Sequence, residues 1–426
     1  MSPSGRIAEA RLGEEVAVAR VRGLPVLLAR KAGHVRSTAV LGVRFGSCDR
    51  EFREAPGDPP IRVPEGVAHF LEHKLFEGTA VPVFQRYAEL GAACNAATSF
   101  RTTHYYFTCT EQFETCLAFL LDFVQNPSIT PERVEKEKGI IEQEIRMYLD
   151  NPSWRVFFNL LGALYDRHPV RHPPGGTVES VRSITAEDCL RCHRAFYRAG
   201  NLVLVASGDF DPERLLQRIE GWVGSGEGAG GEAIPVAEEG EVRTREAVDR
   251  MAVSRPRVLL GFRADGGPGI GEALLNEELA GGFALEALFG RSSEIHQDLY
   301  RRGVIDDSFS ASATVESDFA FTVLGGETNE PERFREEILA TLESAKREGI
   351  RAEDFERVRR RHVGAAVRRF QSSESTAMGH MREALRGLPP FAHVRALEGA
   401  RREDSEAWLR RSVREGRLAV SVLRPS

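Results

Sequence analysis

The stretch CNAATSFRTTHYYFTCTEQFETCLAFLLDFVQ, residues 94–125, reads as strand, turn, strand and then helix. It is followed at 129–149 by ITPERVEKEKGIIEQEIRMYL, a second and strongly acidic helical segment. The same order returns in the second half of the chain, as SFSASATVESDFAFTVL at 308–324, PERFREEILATLESAKREG at 331–349 and IRAEDFERVRRRHVGAAVRRF at 350–370. Phe107-Thr108 recurs as Phe321-Thr322, and Ile129 through Val134 recurs in kind as Ile350 through Phe355. This is an internal duplication of an α+β unit.

Further strands frame each copy. LPVLLARKA, STAVLGVRFG and NLVLVASGD belong to the first, RVLLGFRA and the closing RLAVSVLRP to the second. Antiparallel sheet with amphipathic helices packed on one face is the economical arrangement. Between the copies lies VGSGEGAGGEAIPVAEEGEV, rich in Gly and Glu and poor in large apolar residues, which reads as a linker. The expected organisation is therefore α+β with two homologous domains, residues 1–222 and 243–426, joined by a linker at 223–242.

Composition excludes several classes of function. A formal charge of -6 over 426 residues offers no basic face for a nucleic-acid backbone. The first residues, MSPSGRIAEARLGEEVAVARVRG, lack the apolar core of a secretory signal, and no later run approaches the ~18 apolar residues of a membrane span. A soluble cytoplasmic protein without nucleic-acid or membrane partners is expected. In a reducing compartment Cys48, Cys94, Cys109 and Cys116 are most simply buried thiols. Cys189-Leu190-Arg191-Cys192-His193 spells C-x-x-C-H, the pattern of covalent haem attachment. That chemistry belongs to exported proteins, and ITAEDCLRCHRAFY also reads as a helix capped by Thr185 with Leu190 and Phe196 inward. Helix surface is the preferred reading for the two cysteines; a redox or haem protein is the weaker rival.

The chemistry concentrates in GVAHFLEHKLFEGT, residues 66–79. Residues four apart share a helix face, so His69 and His73 can direct their imidazoles at one ion. Glu72, at the edge of that face, is placed to touch a water on the ion, as a general base must. The order H-x-x-E-H inverts the commoner H-E-x-x-H pattern of zinc peptidases. A catalytic zinc needs a third protein ligand and an open position. The acidic helix at 129–149 is the best source: Glu137 and Glu144 lie on one stripe two turns apart, whereas Glu142 points roughly 200° away from Glu144. The remaining candidates, His104, His168, His172 and His362, take the bland surface reading.

The duplication serves as an internal control. Aligning Leu75-Phe76 with Leu288-Phe289 sets Gly282, Leu285 and Glu286 opposite His69, Glu72 and His73, and the offset of 221 sets Ala365 opposite Glu144. The second copy keeps the helices and loses the ligands.

With GAACNAATSFRTTHYYFTC, VEKEKGIIEQEIRMYLDNP and the segment from His168 to Glu213, the motif resembles the pitrilysin and insulysin superfamily of inverzincins, which includes mitochondrial processing peptidase. The likeness runs over essentially the whole chain and is similar to the short two-domain bacterial members. It implies a zinc endopeptidase with one Zn2+ per chain held by His69, His73 and Glu144, with Glu72 activating the water and Glu137 supporting the ligands. Asn95-Ala96-Ala97-Thr98 looks like the family's edge strand, to which an extended peptide adds by backbone pairing. A second chain is implied to close a chamber, either an identical copy or a related subunit lacking the zinc motif. One departure stands out. Where the family carries an Arg and a Tyr in a segment like LREKGLAYSVS, this chain has LYRRGVIDDSFS, with Tyr300 and Asp306 at those positions; Arg301 or Arg302 is the available substitute for the Arg. The alternative within the family is a non-catalytic, scaffolding subunit.

Overall fold

The computed structural model describes residues 5–77, 81–224, 230–267 and 269–426. Gly78 and Thr79 of the histidine motif, and residues 225–229 of the expected linker, lie outside them. The chain forms two compact units, neither of them a continuous segment: Met1–Ile145, Pro173–Pro235 and Ala366–Ala392 make the first, and Arg146–His172, Val236–Ala365 and His393–Ser426 the second.

The first unit is built on a seven-stranded sheet. Its strands are β1 (Gly5–Glu9), β2 (Glu14–Val21), β3 (Leu24–Arg30), β4 (Ser37–Val43), β5 (Ala93–Thr98), β6 (Thr103–Cys109) and β7 (Leu202–Gly208). They lie in the order β1-β2-β3-β7-β4-β6-β5, antiparallel except for the β3–β7 pair. The central strands are mostly apolar, as burial on both faces demands: every residue of β4 and β7 is buried, Ser37, Thr38 and Ser207 being their polar members. β5, at the sheet's end, alternates exposed and half-buried residues. The second unit repeats the plan with five strands, β8 (Glu246–Met251), β9 (Arg257–Ala264), β10 (Ser310–Val315), β11 (Ala320–Glu327) and β12 (Leu418–Pro425), in the order β8-β12-β9-β11-β10. Here too one pair, β8–β12, is parallel. The hairpin at 94–109 and its repeat at 310–327 occupy matching ends of the two sheets, so the α+β duplication expected from the sequence is present.

What the sequence did not disclose is an exchange of helices. The helix at Pro152–Leu164, from the first half of the chain, packs in the second unit; the helix at Ser373–Leu385, from the second half, packs in the first. The offset of 221 carries one helix onto the other residue for residue, including the caps: Asn151 Oδ1 accepts from Trp154 N, and Ser372 Oγ from Ser375 N. Each helix lies against a strand glycine. A Cβ on Gly42 of β4 would sit 2.8 Å from Met381 Cγ and 2.9 Å from Leu385 Cδ1; one on Gly261 of β9 would sit 2.8 Å from Leu160 and 2.9 Å from Leu164. Leu160 and Leu164 are the repeat partners of Met381 and Leu385, so one knob-on-glycine contact is made twice.

Two local expectations are corrected. Part of the linker is packed: Glu232–Ala233 pairs with Glu51–Arg53, and the Glu238 carboxylate accepts the backbone N–H groups of Asp166, Arg167 and His168. The helix at Ala186–Phe196 does start at Thr185, in a capping box with Asp188, but its two cysteines are not on the surface. Cys189 and Cys192 are fully buried while Leu190 is only partly covered, and burial raises both thiols, Cys189 to about 12. Cys48, Cys109 and Cys116 are buried as expected, Cys94 only partly. Among the described residues no helix is long and apolar enough to cross a membrane.

Candidate metal centre

The histidine motif sits on helix α1 (Val67–Phe76). Val67, Phe70, Leu71 and Leu75 anchor it in the core, leaving His69 and His73 half-buried on one face. Its start depends on a close approach. Gly66 takes the left-handed conformation, φ 85°, and a Cβ there would meet the carbonyl oxygen of Gly175 at 2.4 Å. Only glycine fits, which ties the first turn of α1 to the Pro-Gly-Gly turn at 174–176.

Helix α2 (Pro131–Leu149) brings up the carboxylates. Glu144 Oε1 lies 3.7 Å from His69 Nε2, and its Oε2 lies 3.5 Å from His73 Nε2. Among the described residues His69, His73 and Glu144 are the group of donors able to hold a metal, their ligand atoms all within 4.8 Å of one another. Glu137, two turns earlier, approaches His73 from the other side, 3.0 Å from Nδ1. With Nδ1–H donated to Glu137, a neutral His73 turns the lone pair of Nε2 toward the Glu144 carboxylate. Two acceptors facing each other at 3.5 Å repel unless a cation or proton stands between them. The donor set therefore fits a divalent ion with nitrogen and oxygen ligands, and Glu137 stands where such sites place a carboxylate behind a histidine ligand. Glu142 faces away, as the helical geometry requires, and pairs with Arg182 at 2.7 Å.

Electrostatics separate the groups. Burial, with a smaller push from His73, takes His69 down to about 4, so it is neutral and ligand-competent at pH 7. Burial also disfavours charge on His73, but Glu137, Glu72 and Glu144 outweigh it and raise its pKa. Glu137 is held low: His73 and Lys74 overcome the effect of its burial. Glu72 is raised by burial, against a hydrogen bond from Thr98.

Two contacts escaped sequence reasoning. Thr98 Oγ1, on β5, donates to Glu72 Oε2 at 2.5 Å, so this residue of the edge strand also touches the candidate base. Lys74, 1 % exposed, places its ammonium between Glu77, Glu137 Oε2 at 3.4 Å and the carbonyl of Arg133 at 3.0 Å. A lysine inside an apolar helix segment was the available signal for the second; nothing in the sequence marked the first. On β5 itself, Asn95 and Ala97 are exposed while Ala96 and Thr98 are half-buried, and the N–H of Ala96 donates to Asn95 Oδ1 at 2.8 Å.

In the second unit, helices α3 (Glu272–Phe289) and α4 (Ala352–Arg369) carry the counterpart positions. Glu286 accepts a hydrogen bond from His362 at 2.7 Å and another from Arg361 at 2.5 Å. This is an ion-pair cluster, and among the described residues it does not gather the three donors that a metal needs. His362 is thus engaged rather than a solvated surface group. His168 also departs from the surface reading: it is fully buried, caps the turn at Pro169–Arg171 through Nδ1, and holds Asp318 through Nε2 at 3.0 Å. Asp306 bonds Arg255 at 2.8 Å and caps its own turn through Ser308, while Tyr300 is 45 % exposed. Arg301 lies 3.6 Å and Arg302 3.2 Å from Asp298.

The sequence matches the profile of Insulinase (Peptidase family M16) over residues 58–177 and that of the Peptidase M16 inactive domain over 183–361. A Bacillus subtilis (strain 168) protein named uncharacterized zinc protease YmfH is 38% identical over 412 residues, 95% of each chain. The chain belongs to peptidase family M16. An M16-like peptidase from Alicyclobacillus acidocaldarius has a crystal structure that superposes with a TM-score of 0.92 at 34% identity, covering 97% of this chain and 99% of that one. The fold also matches the periplasmic protease PqqL from Escherichia coli, with a TM-score of 0.73 at 16% identity, over 96% of this M16 chain but only 47% of that longer one.

Proposed function

We propose that this chain is a zinc-dependent endopeptidase that cleaves peptides or unfolded segments held in extended form. The observation that carries the reading is the convergence of His69, His73 and Glu144 within 4.8 Å, with Glu72 beside them and outside the donor set. His69, His73 and Glu144 would hold the ion, and Glu137 would fix the orientation of His73. A zinc ion bound there supplies Lewis acidity, lowering the pKa of water toward neutrality and polarising a carbonyl. Glu72, which burial makes more basic than an ordinary carboxylate, takes the proton of the attacking water and returns one to the departing amine. Asn95 through Thr98 on the end strand receive the peptide backbone, which gives affinity with little demand on sequence.

A second chain completes the chamber, either another copy or a related subunit without the zinc motif. Glu72→Gln is the test. With a fluorogenic peptide, turnover should fall by about 100-fold or more, the range of general acid–base catalysis, while zinc content stays at one ion per chain. A Gln variant that keeps its rate removes Glu72 from the chemistry. A zinc-loaded wild type without hydrolysis, alone or with its co-purifying partner, returns the chain to the scaffolding reading.

A further inference from the structure

We infer that Thr98 is a positioning residue that couples docking of a peptide on β5 to the orientation of Glu72. The inference deepens the peptidase reading and rests on it. β5 is the end strand of its sheet, paired on one side only with β6, and Thr98 faces Thr103 at the last position of that pairing. Along the strand Ala93, Asn95 and Ala97 are exposed while Cys94, Ala96 and Thr98 are half-buried. Thr98 therefore presents backbone to the open edge and its side chain to helix α1, where Oγ1 lies 2.5 Å from Glu72 Oε2.

The direction of that hydrogen bond is fixed by the carboxylate, and Thr98 is itself backed by a second hydroxyl. Thr103, wholly buried, has its hydroxyl 2.9 Å from the carbonyl of Phe45 and 3.4 Å from Thr98 Oγ1. Thr103 gives its proton to the nearer carbonyl, and the Thr98 hydroxyl donates to the carboxylate, which when ionised can only accept. Oε2 of Glu72 is thereby tied to the strand and Oε1 is left to accept a proton. A glutamate has three side-chain torsions to fix, and here the last of them is set by a residue of the surface that the substrate would occupy. An extended peptide added to β5 restrains that strand and, through Thr98, the base. A purely structural hydroxyl, present only to satisfy a buried carboxylate, would show no such link.

The experiment compares Thr98→Val, Thr98→Ser and Thr98→Ala in the zinc-loaded full chain, with a short fluorogenic peptide and one long enough to pair along Ala93–Thr98. Zinc affinity is measured separately by chelator competition. For Thr98→Val, kcat on the long peptide should fall about 10- to 100-fold, the size of a lost hydrogen bond to a charged group, with KM and zinc affinity within about twofold of wild type. The advantage of the long peptide in kcat should shrink with it, and Thr98→Ser should restore both to within about threefold. Equal kcat in the Val and wild-type proteins, or a Val variant that keeps the length dependence, overturns the coupling. So does a fall in zinc affinity that accounts for the lost rate. Should the Val side chain prevent folding, the Ser-against-Ala comparison decides the same question, because serine keeps the hydroxyl and alanine only removes it. Glu72→Gln separates the two levels: an active Gln variant sinks the base itself, whereas an inactive one beside a fully active Thr98→Ala sinks only the coupling.

Discussion

The helix pair α1–α2 in the first unit and the pair α3–α4 in the second descend from one duplicated design and close in opposite ways. In the first, two imidazoles and a carboxylate converge with their acceptors facing one another, and two further carboxylates crowd the same face. In the second, Glu286 is met by the donors of His362 and Arg361, so its charge has a complement. The first arrangement needs a cation or a proton between its acceptors; the second is satisfied as it stands. Since both units keep the sheet order and the exchanged helix, the candidate metal face is not a requirement of the fold. It is a local departure from consistency of the kind that functional sites show.

The largest effect expected from this contrast is on metal binding. Glu144→Gln removes a charged ligand atom and should weaken zinc by well over the ~10- to 100-fold that follows loss of a group merely supporting a ligand. The matched change in the other unit, Glu286→Gln, should leave zinc binding unaltered. Chelator competition on the two purified variants measures both. Equal zinc affinity in Glu144→Gln and wild type would break the comparison at its root, since the two helix pairs would then differ only in sequence.

Much of this contrast was legible in the amino-acid sequence, and the reason is periodicity. H-x-x-E-H places its residues on a helix by spacing alone, the seven-residue step from Glu137 to Glu144 keeps both on one stripe, and the repeat supplied its own negative control in Gly282, Glu286 and Ala365. The helix exchange was not legible. Repeat similarity relates residues 152–164 to 373–385 equally well whether each helix covers its own sheet or the other, because the contacts against Gly42 and Gly261 are alike. The Thr98–Glu72 bond was hidden for another reason: it depends on the parity of β5, which the hairpin register sets and local composition does not. His168 was misread because a Pro-rich turn usually lies in solvent, and its burial comes from residues far away in sequence such as Asp318.

The exchanged helices give the next effect in size. Valine is a residue that a strand otherwise favours, so Gly42→Val and Gly261→Val isolate the cost of crowding the helix that lies above. Each should destabilise the protein by about 1–3 kcal/mol, read as a lowered thermal midpoint. Met381→Ala should recover part of the loss at Gly42, and Leu160→Ala part of the loss at Gly261. If one valine is harmless and the other is not, the two contacts are alike in geometry only and the duplication has drifted further than the repeat indicates.

The smallest effect has opposite signs in the two helix pairs. For Glu286, burial works against the charge, but His362 and Arg361 outweigh it and hold the folded-state pKa below the ordinary value. Its contribution is therefore complete above the unfolded glutamate pKa of about 4.3 and is lost as pH falls through the lower folded value. Glu72 is the reverse: burial, only partly offset by Thr98, raises its folded-state pKa, so its ionisation opposes folding at pH above that value and the penalty disappears below the unfolded one. In the metal-free protein at pH 7, Glu286→Gln should lower stability and Glu72→Gln should raise it, each by on the order of 1 kcal/mol. The Glu72 difference should be gone below the unfolded pKa of about 4.3, whereas the Glu286 difference should last until pH falls through its lower folded value. Thermal midpoints of the three proteins across that range decide the matter. A Glu72→Gln protein less stable than wild type at neutral pH would mean that the buried carboxylate supports the fold, and the first helix pair would then resemble the second after all.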